Sequence, residues 1–183
     1  PFLDSVSEDL TVAGVRGTLP LLVGRDREMN ELLRSIEGGG QSVVLVGPPG
    51  VGKNTIIAGL AERMIGENVP KVLKDKRLLR LSLPHLLGGN GSPADKLLGA
   101  FQEAGRSGNV IFVIENIHEV TEVGGAGVDL ATLVATELEK GYTFIITTTD
   151  PQHYTASVER STLGPKLQKI TVEEPARFDA IRV

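Results

Sequence analysis

Three features of the 183-residue sequence predict an α/β fold built on a mostly parallel, five-stranded sheet with helices on both faces. Apolar runs of strand length alternate with segments whose apolar residues recur at helical spacing. The run Asn109-Val110-Ile111-Phe112-Val113-Ile114 is continuously apolar, as in a central parallel strand covered on both sides. A second run, Ser42-Val43-Val44-Leu45-Val46, passes through a glycine-rich turn directly into a helical pattern.

In chain order, residues 1–20 show little periodicity and are broken by Gly14, Gly17 and Pro20, so they read as a linker or lead-in, with one helical turn possible at Asp9-Leu10-Thr11. The domain proper is expected over 21–183. Leu21-Leu22-Val23-Gly24-Arg25 is an apolar entry, and Asp26 stands as an N-cap. Met29, Leu32, Leu33 and Ile36 then follow at helical spacing until Gly38-Gly39-Gly40. After the glycine-rich unit, Val69-Pro70 ends one helix. Arg77-Leu78-Leu79-Arg80-Leu81-Ser82-Leu83 reads as a strand, and 88–93 as a flexible loop. Leu97, Leu98, Phe101 and Ala104 mark a helical face, and Leu130, Leu133, Val134 and Leu138 mark another that stops at Gly141. Thr143-Phe144-Ile145-Ile146-Thr147-Thr148 and Gln168-Lys169-Ile170-Thr171-Val172 complete the strands. Such a sheet places ligands at the carboxyl ends of its strands.

Composition narrows the function. The chain has no cysteine, which removes disulfides and thiolate metal sites and fits a cytoplasmic setting. Its three histidines, His85, His118 and His153, lack the short spacings of a zinc site and read as surface or packing residues. A net charge of −4 argues against general nucleic-acid affinity. No apolar run approaches membrane-spanning length, and the N-terminus carries no basic-then-apolar signal pattern. Because the chain opens at Pro1 and stops at Val183 where a helix pattern begins, it is expected to be part of something longer.

The motif that carries chemistry is Gly47-Pro48-Pro49-Gly50-Val51-Gly52-Lys53-Asn54, followed by Thr55. A buried strand, a glycine-rich loop and a helix in that order form a phosphate cradle. Glycines let successive backbone N–H groups turn inward, the helix adds its positive end, and the Lys53 ammonium reaches the outer phosphates. The spacing is that of a P-loop, or Walker A motif, except that Asn54 stands where Ser or Thr should meet magnesium. P-loop NTPases also need an acid at the end of a neighbouring buried strand. The apolar run 109–114 delivers Glu115 there, so Asn54 and Glu115 are the candidate Mg²⁺ ligands. The next position, where an acid would prepare the attacking water, holds Asn116. An amide can hold a water but offers no useful base, and losing a general base costs about 10²–10⁴ in rate.

Further residues carry a resemblance that runs over nearly the whole chain. Asp9-Leu10-Thr11 and Leu19 with Gly24-Arg25-Asp26, Val69-Pro70, Leu73-Lys74-Asp75-Lys76-Arg77, Gly108-Asn109-Val110-Ile111, Ile117-His118 and Glu173-Glu174-Pro175 fall in register. Together they resemble the first AAA+ ATPase module of the Clp family of ring-forming unfoldases and disaggregases. The resemblance implies the AAA+ large subdomain, a cytoplasmic chaperone ring of six neighbouring subunits, and ATP or ADP bound between them. It also implies protein substrates, a possible Clp protease partner, and an adenine-side segment that includes Val23 and Gly24.

The departures from that family cluster on function. Its magnesium-binding Thr is Asn54 here, and its Walker B acidic pair is Glu115 then Asn116. The substrate-gripping aromatic aligns near Ser92, in a loop without any aromatic. The paired arginine fingers align with Pro165 and Lys166, and lysine lacks the planar fork that matches a phosphate. The residue sensing the γ-phosphate is expected at Thr149 or its neighbour Thr148, and the helical lid subdomain is expected beyond Val183. The expectation is therefore a nucleotide-binding module with impaired hydrolysis and weakened magnesium dependence, serving ring assembly or regulation. An active ATPase and a nucleotide-free scaffold are the alternatives.

Overall fold

The computed structural model describes residues 2–11, 25–38, 41–121 and 129–174. Among these residues, β1 (Ser7–Asp9), β2 (Ser42–Val46), β3 (Arg77–Leu81), β4 (Val110–Ile114), β5 (Phe144–Thr149) and β6 (Leu167–Thr171) form one sheet in the order β1-β3-β4-β5-β2-β6. Every pairing is parallel except β1 with β3. The five strands read from the sequence are all present.

The sixth strand lies in the stretch read as a linker or lead-in, of which residues 2–11 are described and pack onto the domain. Helix α1 (Phe2–Val6) buries Leu3 and Val6 in the core, and β1 then adds to the sheet edge with Glu8 opposite Arg80. β1 is three residues of Ser-Glu-Asp with no apolar alternation, held by charge across the strands: Asp9 pairs with Arg77 at 3.1 Å and Glu8 with Arg80 at 2.7 Å.

The helices are α2 (Asp26–Glu37), α3 (Lys53–Ile65), α4 (Leu83–Leu87), α5 (Pro93–Ser107), α6 (His118–Thr121), α7 (Leu130–Glu139) and α8 (Pro151–His153), the last continuing as a π-turn over Tyr154–Val158. Asp26 begins α2 rather than capping it, since the N-cap is Arg25. The strand expected to reach residue 83 ends at Leu81, because Pro84 suits the first turn of α4. Ser92 and Asp129 cap α5 and α7 by accepting from main-chain N–H groups three residues on.

Strand alternation divides the core in two. Val44, Leu79, Phe112 and Ile145 face one side, where α5 and α7 bring Leu97, Phe101 and Val134. Val43, Leu78, Ile111 and Ile146 face the other, covered by Met29 and Leu32 of α2 and by Ile56 and Leu60 of α3. No helix among the described residues is long and apolar enough to cross a membrane. Because β2 pairs with β5 and β5 with β4, the carboxyl ends of these three strands lie side by side. Gly47, Thr148 and Glu115 thereby come to one rim of the sheet.

Candidate functional site: a phosphate cradle

The turn after β2 has the backbone of an anion site. Gly50 and Gly52 take φ of +79° and +112°, the left-handed region that glycine enters without strain. Gly47 is needed for a different reason. A Cβ there would lie 2.5 Å from the Val172 carbonyl oxygen and 2.8 Å from Val51 Cγ1, so the loop could not pack against the chain leaving β6. Gly52 is the N-cap of α3 and makes no side-chain cap, which leaves the first N–H groups of the helix directed at the cleft. That cleft, about 350 Å³, is lined by Pro49, Gly50, Gly52, Lys53, Asn54, Thr55, Glu115, Asn116, Thr148 and Asp150.

Lys53 Nζ donates to the Gly47 carbonyl and, at 3.1 Å, to the Thr149 carbonyl. The same Thr149 oxygen accepts from the Gly47 N–H at 3.1 Å, so loop, lysine and β5 are clasped together. Burial pulls the Lys53 pKa below the usual lysine value, partly opposed by the negative charge of Asp150.

An arginine holds the loop from behind. Arg25, almost wholly buried, donates to the Val51 carbonyl, to Glu28 Oε2 at 2.9 Å and to the Glu173 carbonyl at 2.6 Å. It ties the start of α2, the cradle and the segment after β6 into one body. This role is not legible in the sequence, because two of its partners lie 26 and 148 residues away.

The rim opposite the cradle is occupied as the strand order dictates. Glu115 and Asn116 both line the cleft, and the Asn116 N–H donates to Thr148 Oγ1 at 3.0 Å. Asn116 has φ of +54°, a conformation asparagine tolerates better than most residues. Of the two residues considered for phosphate sensing, Thr148 lines the cleft. Thr149 is fully buried, with its Oγ1 2.9 Å from His118 Nδ1 and its carbonyl accepting from Lys53.

The remaining candidates are more scattered. Val51 is buried behind the loop beside Gly47, Pro48 accepts from the Val51 N–H, and Val23 and Gly24 lie outside the described residues. Lys166 precedes β6 at the amino-end rim of the sheet, ion-paired with Glu139 at 2.6 Å and away from the cradle. Glu119 is exposed and lines an adjoining cleft, not the cradle. The histidines, read as separate surface or packing residues, are not all separate. His118 and His153 stack with ring centroids 4.0 Å apart beside Asp150, and donor atoms of all three lie within 4.8 Å of one another. Asp150 Oδ2 is 2.6 Å from His153 Nδ1, and its Oδ1 accepts the His153 N–H; these bonds and the two histidines hold its pKa below the usual carboxylate value despite desolvation, the largest single influence, which acts the other way.

The family model for the ATPase family associated with various cellular activities (AAA) matches residues 43–169, from β2 into β6. The chain belongs to this family. Within it, the AAA module is 32% identical over 190 residues to the ATP-binding subunit ClpC of an ATP-dependent Clp protease from Staphylococcus aureus strain USA300, and 33% identical to ClpC of Staphylococcus epidermidis. Those alignments take in all of this chain and 23% of each relative, so the module spans about a quarter of the length of the curated relatives it matches. Among solved structures, it superposes on Saccharomyces cerevisiae Hsp104 in complex with casein, extended conformation, with a TM-score of 0.86 at 26% identity. It also superposes on a closed state of Hsp104 with ATPγS and casein, with 0.88 at 28%. Each match covers the whole module and 32% of the Hsp104 chain.

The AAA family implies a nucleotide, generally with Mg²⁺. The cradle fits the nucleotide's phosphates: two glycines at positive φ, a helix N-terminus, an ammonium and a close-packed glycine are all in place. Magnesium fits less well. Asn54 offers a neutral amide where a hydroxyl is usual, and the Glu115 carboxylate is already ion-paired with Arg80 at 2.8 Å.

Proposed function

We propose that this AAA module binds ATP or ADP at the cradle and hydrolyses ATP poorly if at all, serving assembly or regulation in a Clp-like unfoldase ring. The observation that carries this reading is the contrast across one cleft. Gly50, Gly52 and Lys53 keep the geometry that grips phosphate, while Asn116 faces them without a basic group.

In the bound state, the α3 N-terminal N–H groups and Lys53 would neutralise the phosphate chain, and Lys53 would exchange its carbonyl partners for phosphate oxygens. Thr148 Oγ1, on the cleft wall, would be the polar group nearest the terminal phosphate. Hydrolysis would require a group to take the proton of an attacking water. Asn116 cannot, and a missing base costs about 10²–10⁴ in rate. An arginine finger adds 10³–10⁵ in P-loop NTPases of known mechanism, and Pro165 and Lys166 stand where the family places its pair. Neighbouring copies of the module, in a six-membered ring, and protein substrates or a Clp protease are the partners this reading takes from the family.

Calorimetric titration with ATP and ADP, with Lys53→Ala as control, tests binding, and phosphate release tests turnover. Binding with negligible release is the expected result. Turnover at ordinary AAA+ rates would favour an active ATPase. A folded protein that gives no heat with either nucleotide would favour a nucleotide-free scaffold.

A further inference from the structure

Arg80 occupies a position that changes what the cradle can accept. It lies on β3, opposite Glu8 of β1, and its guanidinium divides between two carboxylates: Nη2 to Glu8 Oε2 at 2.7 Å and Nη1 to Glu115 Oε1 at 2.8 Å. Glu8 stands on β1 and Glu115 directly follows β4, the strands to either side of β3, so the planar fork is held from both flanks. Glu115 and Asn116 line the cradle, and together with Arg80 and Glu8 they also line an adjoining cleft of about 440 Å³. Glu115 is therefore the wall between the two spaces, with a fixed cation on its far side.

At a P-loop the acid after the neighbouring strand ordinarily serves a hydrated divalent cation. Magnesium demands near-octahedral oxygen ligands and is drawn by carboxylate charge. Here that charge is already answered by a guanidinium, which would also repel a second cation placed beside it. The hydroxyl that would bind the metal from the helix is replaced by the Asn54 amide. Both protein anchors of the metal are thus altered, and the carboxylate that would otherwise repel a phosphate is neutralised by the protein itself.

From this arrangement we infer that Arg80 is the built-in counter-cation of the site, and that the cradle takes its nucleotide as the metal-free anion. The inference rests on the nucleotide-binding reading above. It makes Arg80 a specificity-determining residue for the form of the ligand, acting through Glu115 rather than touching the transferred group.

The test is fluorescence polarisation with a ribose-labelled ADP, in excess magnesium chloride and in excess EDTA, on the whole chain and on Arg80→Gln. For the wild type the two dissociation constants should agree within about threefold. In Arg80→Gln, whose fold is checked by its thermal transition, the unpaired Glu115 should weaken binding in EDTA. Magnesium should then restore it by about tenfold. Magnesium tightening of tenfold or more in the wild type overturns the inference whatever the variant does, and so does an unchanged ratio in a folded Arg80→Gln. Absence of binding in both buffers is a separate outcome that removes the nucleotide-binding reading itself.

Discussion

The ammonium of Lys53 donates to the main-chain carbonyl of Thr149 across 3.1 Å, so the lysine lining the described cradle is docked on the end of the neighbouring strand. That contact has a pH signature. Burial, only partly offset by Asp150, lowers the Lys53 pKa below 10.5. Between the lowered value and 10.5 the unfolded chain holds more protons than the folded one, so stability rises with pH through that window. The cost of burying the charge is present in full below the window and gone above it. Nucleotide affinity runs the opposite way, because phosphate prefers charged lysine. The dissociation constant should weaken as pH climbs through the same window, with proton uptake on binding measurable by calorimetry in buffers of different ionisation enthalpy. An affinity that stays flat up to pH 10.5 would contradict this role for Lys53.

Gly47→Ala tests the cradle without touching a charge. Its new methyl would fall 2.5 Å from a main-chain oxygen and 2.8 Å from Val51, forcing the loop away from the chain after β6. Overpacking of this kind costs about 1–3 kcal/mol. Urea unfolding should show that loss, and ADP titration should show weaker binding. Gly50→Ala meets no atom within 4 Å and should cost only the strain of its positive φ. Equal effects of the two substitutions would count against the packing argument.

Arg25→Ala should be the most damaging single substitution at the rim. It removes the hydrogen bonds to Val51 and Glu173 and strips the nearer partner from buried Glu28, leaving Arg27 at 3.7 Å. Breaking a buried ion pair from one side costs about 3–5 kcal/mol. Arg25→Ala with Glu28→Gln should recover part of that loss in a double-mutant cycle. Strictly additive effects would mean the pair is not coupled.

Asn116→Glu separates stability from chemistry. A residue other than glycine or asparagine at φ of +54° costs roughly 1 kcal/mol, which for a chain of this size lowers Tm by about 2–4 °C. Asn116→Gly should not carry that cost. If the missing base limits hydrolysis, Asn116→Glu should also raise phosphate release by about tenfold or more. A variant that melts lower and releases no more phosphate than the wild type would place the defect elsewhere.

The parts of the site that could be read from the sequence are those whose geometry is local. Strand, loop and helix around Lys53 are consecutive, so spacing alone specifies them, and the apolar run before Glu115 announces a central strand. The rest depends on which strands are neighbours. Arg80 meets Glu115 only because β3 lies beside β4, and His118 meets His153 only because β4 lies beside β5. β1 escaped notice because its three polar residues carry no periodic signal and pair through charge. Thr148 and Thr149 differ by one residue at a strand end, where alternation gives their hydroxyls different partners, the Asn116 N–H and His118 Nδ1.

The most direct measurement is the chemical state of nucleotide retained by the protein. The purified chain is incubated with ATP, separated rapidly from free nucleotide, denatured, and its bound nucleotide resolved by chromatography over time. A cradle that grips phosphate without a base to activate water should yield bound nucleotide that remains ATP. Recovery mainly as ADP, or no retained nucleotide from folded protein, would contradict it.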